Sequence, residues 1–240
     1  MNRQSKWRLT AVRLRRLRLN NMSEIITTYE IREPNIPIPM ERIKFYEEQV
    51  KTFKKTGRPS RTVEIVHVLL FTPEGEILLQ KRAPSKHHNP NLIDKSMGGH
   101  ITFGDAPFYT VMVETVQELQ VPSIVLYNEA DFKKTYKLLR NYLESIAIIK
   151  QIDSKIVVFE RIINKQKVKI SHKAHFFLGV YGGSTKPVDR ESSGVLYYSL
   201  KMLGKEMKYH PDNFTNDLLY YLKNYKNEIG KIMKLLKVEI

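Results

Sequence analysis

The chain of 240 residues contains no cysteine. This absence excludes disulfide bonds, zinc sites built from thiolates and cysteine nucleophiles, and it fits a reducing compartment. Long apolar runs are missing as well: none approaches the roughly 18 residues that a membrane-spanning helix needs. We therefore expect a cytoplasmic protein without a transmembrane segment.

Acidic residues are scarce, since 25 Asp and Glu stand against 40 Lys and Arg, for a formal net charge of +15. The first 21 residues hold seven of the basic residues and no acidic one. Three interpretations of this tail stay open: a basic amphipathic helix, an organelle-targeting presequence, or a start codon misplaced upstream of Met22. We set residues 1–24 apart as a tail and expect nucleic acid or membrane contact only there.

The remaining residues, 25–240, predict one domain of mixed α/β composition. Two segments are expected to interrupt the regular secondary structure of this domain. Pro37 and Pro39 are expected to break the chain, and Pro73-Glu74-Gly75-Glu76 predicts a tight turn between two strands. β-Branched and apolar runs predict the strands, and apolar residues at helical spacing predict the helices. The predicted strands are 25–36, 62–72, 77–82, 146–151, 155–163 and 168–181, and residues 122–127 predict a short strand or a loop. The links Ile152-Asp153-Ser154 and Asn164-Lys165 predict hairpin turns between the last three strands. The predicted helices are 40–55, 107–119, 130–144 and those after residue 214.

Residues 98–121 carry the most informative pattern. Glycines lead into Asp105 and Pro107, a combination typical of a helix start with Asp as the N-cap. Glu114 and Glu118 then follow at i, i+4 spacing, so they share one face of the predicted helix. Two carboxylates stacked in this way repel unless a cation lies between them, and hard cations such as Mg2+ prefer oxygen ligands. The alternative is a solvated pair of surface glutamates.

This stretch resembles a Nudix box, whose pattern is G-x5-E-x7-R-E-U-x-E-E-x-G-U. Aligned from Gly99, the segment keeps the full spacing. Four positions match strictly and one is a conservative exchange; these are Gly99, Glu114, Glu118, Val121 and, with Asp for Glu, Asp105. Four positions depart from the pattern: Val113 for Arg, Thr115 for an aliphatic residue, Gln117 for Glu and Gln120 for Gly.

The strand–turn–strand segment 66–83 and the Gly-His pair at residues 99 and 100 further resemble the isopentenyl-diphosphate isomerase branch of that superfamily. In that branch a catalytic Cys precedes the Gly-His pair, and this position is Gly98 here. Proton transfer to an alkene needs an acid or base within reach, and Gly98 supplies none. The branch resemblance therefore indicates ancestry more than isomerase activity.

The resemblance implies an α/β/α sandwich with a mixed sheet, plus an extra helix and hairpin after the box. It also implies a Mg2+- or Mn2+-dependent hydrolase of a diphosphate linked to another moiety. A binding module without catalysis is the alternative, because the box is degenerate; an isomerase is the least favoured interpretation, and a homodimer is left open. The catalytic residues that the resemblance implies are Glu114, Glu118 and Glu191. The implied metal ligands are Glu114, Glu118, Gly99 and His100, with His67 as a weaker candidate. The implied substrate contacts are Lys81, Arg82, Lys95 and His88.

Overall fold

The structure, a computed structural model, describes residues 24–185 and 192–237. Within these residues the chain forms ten strands and six α-helices. The strands are β1 (Ile25–Glu30), β2 (Glu33–Glu41), β3 (Arg61–Phe71), β4 (Ile77–Arg82), β5 (Ile93–Asp94), β6 (Met97–His100), β7 (Ser123–Leu126), β8 (Ala147–Ile163), β9 (Gln166–Val180) and β10 (Ser192–Tyr198). The helices are α1 (Arg42–Thr56), α2 (Pro107–Leu119), α3 (Glu129–Leu139), α4 (Leu200–Tyr209), α5 (Asn216–Asn224) and α6 (Lys226–Leu236).

A single mixed sheet organises the fold. Its main path runs β10-β4-β3-β9-β8-β7, with β3–β9 and β7–β8 parallel and the other pairs antiparallel. Strand β3 is buried along nearly its whole length, which explains its continuous β-branched and apolar run. On the side of β3 away from β9, strands β1, β6 and β4 pair in succession, so the sheet curls around this strand.

Side chains alternate along β3 between two separate cores. Val66, Val68 and Leu70 face α2, whereas Ile65 and Leu69 face the larger core that includes α5 and α6. The expected sandwich with a mixed sheet, the extra helix (α3) and the extra hairpin (β8–β9) are thus confirmed. None of the helices in the described ranges is long and apolar enough to cross a membrane.

The prediction that Pro37 and Pro39 break the chain is wrong. Both prolines lie inside β2, which forms a hairpin with β1 and pairs with no other strand among the described residues. Proline lacks an N–H donor, and it is tolerated on an edge strand because the outer side of that strand needs no partner. The predicted single strand 25–36 is therefore a hairpin.

The predicted strands 146–151 and 155–163 are one strand, β8. The polar link Ile152-Asp153-Ser154 looked like a hairpin turn, but the strand continues through it with a register shift between Gln151 and Asp153. Such a bulge absorbs one extra residue without ending the strand. The turn predicted at Asn164-Lys165 is confirmed, and both residues have positive φ, as a two-residue hairpin turn requires.

Helix α2 begins differently from the prediction. Ala106, not Asp105, is the N-cap, and no side chain caps the helix there. Asp105 is exposed in the preceding turn. Met112 on this helix is 45% exposed, whereas Val111 next to it is buried. At the other end Gln120 has φ +58°, the left-handed conformation that glycine adopts in most helix ends of this kind.

Candidate functional site

The glycines of β6 lie beside the helix that carries the two glutamates. Glu114 packs so closely against Gly99 that a Cβ at residue 99 would overlap the carboxylate. The absence of a side chain at Gly99 lets the carboxylate approach the strand backbone. Glu118 lies one turn further along α2 and is only 9% exposed. Both predicted carboxylates thus face the same side of the sheet.

A polar contact joins Glu118 to the sheet. Gln80 on β4 donates a hydrogen bond from Nε2 to Oε2 of Glu118 over 2.8 Å. The pattern of the sequence gave no sign of this partner, because it lies 38 residues away in the chain. A neutral amide donor satisfies part of the hydrogen-bonding capacity of the carboxylate without neutralising its charge.

A small cleft opens next to these residues, between β4, β6 and α2. Its volume is about 30 Å³, roughly the share of one water molecule in the liquid. Two carboxylates and three cationic side chains line it. The lining residues are Gln80, Arg82, Lys86, Asp94, Lys95, Met97, Gly98 and Glu118. The cleft therefore combines carboxylate oxygens with cationic groups that suit phosphate oxygens.

Arg82, a predicted substrate contact, holds the loop that follows β4. Its guanidinium donates to the backbone carbonyls of His88 and Asn89 over 2.8–3.1 Å. It also donates to Oδ2 of Asp94 over 3.0 Å. These bonds orient the guanidinium at the edge of the cleft and fix the loop against the strand. Arg82 therefore stabilises this loop independently of any ligand that it binds.

Lys95, the second predicted cationic contact, belongs to a buried ionic network. Its Nζ lies 3.3 Å from Asp94 and 3.6 Å from Oδ2 of Asp217, which is also 2.7 Å from Nη2 of Arg161. Burial raises the pKa of the Asp217 carboxyl, but Arg161 and Lys95 outweigh burial and lower it to about 2. The pKa of Asp94 is likewise lowered, by Lys95 and Arg82 against burial. Both aspartates are therefore ionised at neutral pH.

His67 lies against this network rather than against the glutamates. Its ring stacks on Phe176 with centroids 5.3 Å apart, and its Nδ1 is 3.9 Å from Oδ2 of Asp217. Within the described residues neither ring nitrogen has a hydrogen-bond partner. Burial, and then the charge of Lys95, lower the pKa of His67 well below its usual value, so the imidazole is neutral. Nothing here makes His67 a ligand of a cation held by α2.

His88 and His100, which the sequence suggested as substrate contact and metal ligand, meet around Tyr46. The hydroxyl of Tyr46 and Nε2 of His100 are 2.8 Å apart, and the rings of Tyr46 and His88 have centroids 3.9 Å apart. Burial and then Arg161 lower the pKa of His88 to about 2, and burial lowers the pKa of His100 as well. Because side chains alternate along β6, His100 points away from the face that Gly99 offers to Glu114.

The structure thus brings together some of the predicted site residues and separates others. Glu118, Arg82 and Lys95 line one cleft, with Glu114 next to it against Gly99. Lys81 does not line the cleft; it alternates with Gln80 and Arg82 and points to the opposite face of β4. In residues 24–185 and 192–237 no group of three His, Asp or Glu side chains is placed to hold a metal ion. Glu191 lies outside the described residues.

Four polar residues of this region were missed by the sequence-based interpretation: Gln80, Asp94, Arg161 and Asp217. Asp217 lies in the first turn of α5. It is only 1% exposed. Asp94 accepts hydrogen bonds from the backbone N–H of Lys95 and the hydroxyl of Thr215, 2.9 and 2.8 Å away. The one available signal was the Asp94-Lys95 pair directly before the glycines.

The curled mixed sheet, with the glutamate-bearing helix packed on one side, defines the Nudix fold, and the resemblance read from residues 98–121 is confirmed at this level. The chain is similar to the DR0079 protein from Deinococcus radiodurans, with a TM-score of 0.55 and 15% identity over 83% of this chain and 98% of that one. A bifunctional NMN adenylyltransferase/ADP ribose pyrophosphatase from Francisella tularensis, crystallised with AMP and a Mn ion, aligns more weakly, with a TM-score of 0.47 and 14% identity over 78% of this chain and 47% of that one.

In sequence, the chain is similar to the isopentenyl-diphosphate Delta-isomerase of Streptomyces coelicolor. The two are 36% identical over 80 residues, which is 30% of this chain and 41% of the isomerase. The matched segment thus spans less than half the length of that enzyme. No protein-family model matches the chain. The likeness establishes the fold and a local sequence kinship, and the activity rests on the site itself.

Proposed function

We propose that the chain is a metal-dependent hydrolase of a diphosphate linked to another group. The observation that carries this proposal is the composition of the cleft, which is lined by Glu118 together with Arg82 and Lys95. Hydrolysis of a diphosphate needs a charge that neutralises phosphate oxygens and a water that attacks phosphorus. A cleft lined by both carboxylate and cationic groups provides places for both.

Glu114 and Glu118 suit a divalent cation of the hard type. Their donors are oxygen atoms only, and Mg2+ is held in many phosphate-processing sites by one or two carboxylates, with waters and substrate phosphates completing its shell. Two protein carboxylates are thus enough, even though no third ligand is assembled among the described residues. When bound, Mg2+ or Mn2+ supplies charge neutralisation and a more acidic water.

The remaining tasks fall to residues of the chain itself. Lys95 and Arg82 orient phosphate oxygens by charge-assisted hydrogen bonds. Glu114, next to the cleft, accepts the proton of the attacking water; Glu191 is the alternative base, as the resemblance implies. The absence of a side chain at Gly99 lets Glu114 lie against the strand backbone, next to the cleft. The small-molecule substrate stays unnamed, since the cleft specifies the phosphate end alone.

The second candidate, a binding module without catalysis, is favoured by one specific observation. The cations of the cleft are already engaged by carboxylates of the chain: Lys95 with Asp94 and Asp217, and Arg82 with Asp94. A ligand that displaces these ion pairs would be sensed by a change of conformation rather than consumed.

Phosphate release decides between the two candidates. The full-length chain is incubated with nucleoside-linked and isoprenoid diphosphates, with Mg2+, with Mn2+ and with a chelator. Metal-dependent release for at least one substrate is the expected result, and release that persists in chelator would contradict the metal requirement. A diphosphate that raises the melting temperature without being hydrolysed would identify a binding module. Conversion of isopentenyl diphosphate to its allylic isomer would instead support the isomerase interpretation.

A further inference from the structure

A second cavity lies among the three C-terminal helices, apart from the cleft. It has a volume of about 440 Å³, within the usual range for small-molecule pockets. Its floor is apolar, and no acidic side chain lines it. The lining residues are Leu200, Leu203, Gly204, Met207, Leu219, Leu222, Lys223, Lys226, Ile229 and Gly230. None of them belongs to the cleft or to the ionic network around Lys95.

Two helix-interior glycines keep this cavity open. Gly204 is the fifth residue of α4, and Gly230 is the fifth residue of α6. Glycine in a helix interior is less favourable than alanine, so neither position is explained by helix stability. A Cβ built on Gly204 would meet no atom within 4 Å, so a neighbouring chain does not explain the glycine either. A side chain at residue 204 would occupy open space beside the cavity.

The rim of the cavity is cationic. Lys223 is next to the last residue of α5, and Lys226 is the first residue of α6. Both are exposed, and within residues 24–185 and 192–237 neither forms an ion pair. An apolar floor with two unpaired ammonium groups at its edge is complementary to a molecule with one apolar chain and one anionic head.

We propose that this cavity binds a single-chain anionic amphiphile, an alkyl or prenyl chain that ends in a phosphate or carboxylate. The chain lies on the leucine, methionine and isoleucine side chains between α4, α5 and α6, and the head group meets Lys223 and Lys226. The ligand is a free monomer rather than a membrane, because the apolar surface is recessed between helices. This inference does not depend on the proposed hydrolase activity, which uses other residues.

Isothermal titration calorimetry of the full-length chain with decyl phosphate, below its micelle concentration, tests the proposal. Decanol and inorganic phosphate serve as the two half-ligands. Saturable binding of decyl phosphate, weaker binding of decanol and none of inorganic phosphate is the expected order. Equal binding of decanol and decyl phosphate would overturn the role of the lysines. Binding to anionic vesicles without any binding of the monomer would overturn the commitment to a free ligand.

Two variants with matched controls locate the ligand. Gly204→Leu places a side chain in the opening and should weaken decyl phosphate binding about tenfold or more, whereas Lys205→Leu, its neighbour on α4 outside the cavity lining, should not. Lys223→Gln/Lys226→Gln should remove the preference for decyl phosphate over decanol, and Lys201→Gln/Lys208→Gln should keep it. If Gly204→Leu folds with an unchanged melting temperature and binds as the unaltered chain does, the cavity is not the site.

Discussion

The side chain of Lys95 lies against the backbone of Gly98, so that a Cβ at residue 98 would come within 2.5 Å of Lys95 Cε and 2.6 Å of the Val66 carbonyl oxygen. The side chain of Lys95 thus occupies the space next to residue 98, the position at which the isomerase branch that this segment resembles carries its thiol. The missing side chain at Gly98 leaves the space through which Lys95 reaches the cleft.

Replacement of Gly98 by alanine tests this packing. Gly98→Ala should lower the free energy of unfolding by about 1–3 kcal/mol, because the added methyl meets a strand carbonyl that cannot move freely. Urea denaturation measures the change. Gly194→Ala is the control, since a Cβ at Gly194 would meet nothing within 4 Å. Equal stability of the two variants would show that the space at residue 98 is not closed.

At the end of α2, a substitution is expected to raise the free energy of unfolding rather than to lower it. Gln120 adopts a left-handed backbone, which costs a non-glycine residue about 1 kcal/mol or more. Gln120→Gly should therefore raise the free energy of unfolding by roughly 0.5–1 kcal/mol, after the greater chain entropy of glycine is allowed for. Gln120→Ala keeps the unfavourable conformation and should not stabilise. A destabilised Gln120→Gly would mean that the glutamine side chain makes a contact of its own.

The buried histidines predict sensitivity to mild acid. Burial and Arg161 lower the pKa of His172 to about 3, and burial lowers that of His88 to about 2, whereas both titrate near 6.5 when unfolded. Below about pH 6.5 the unfolded chain binds protons that the folded chain does not, so stability falls as the pH decreases. Each such histidine contributes about 1.4 kcal/mol per pH unit in that range.

Denaturation at pH 7.0 and 5.5 checks this sign. A loss of stability at pH 5.5 is expected, and His67 and His100 should add to it, because their pKa values are lowered in the same direction. Unchanged stability over this interval would mean that these histidines take up protons at the same pH in the folded protein as in the unfolded chain.

Asp217 should be the most sensitive position of the ionic network. Asp217→Asn keeps the shape but leaves Arg161 and Lys95 with one carboxylate, Asp94, in a buried region. Loss of one partner from a buried ion pair costs about 3–5 kcal/mol. Urea denaturation measures this, with Asp212→Asn as the exposed control. A loss below about 1 kcal/mol, as for surface pairs, would show that solvent screens the network.

The sequence-based predictions succeeded where the signal was local. The buried run of β3, the turn at Asn164-Lys165 and the spacing of Glu114 and Glu118 each depend on residues within a few positions of each other. The Nudix fold followed from these local patterns and from the order of the elements. The site was less accessible, since the ionic network around Lys95 includes Arg161 from β8 and Asp217 from α5, far along the chain.

The wrong predictions share a physical cause, which is that pairing context decides the outcome. Pro37 and Pro39 are acceptable in β2 only because that strand pairs on one side. Asp153 does not end β8, because a bulge accommodates it and its carboxylate accepts a hydrogen bond from the hydroxyl of Tyr225. His100 points away from the glutamates because side chains alternate along β6. This strand has only four residues, and the sequence does not show which of them face α2.

The central claim is that the α2 carboxylates support phosphate chemistry, and a comparison of Glu118→Gln with Glu206→Gln tests it most directly. Both variants remove one carboxylate, but Glu206 is exposed on α4. Phosphate release is followed at saturating Mg2+ with any substrate that the unaltered chain hydrolyses. The account predicts at least about a 100-fold loss for Glu118→Gln, since even residues behind a metal ligand are worth 10–100-fold, and no loss for Glu206→Gln. Equal rates in the two variants would contradict it.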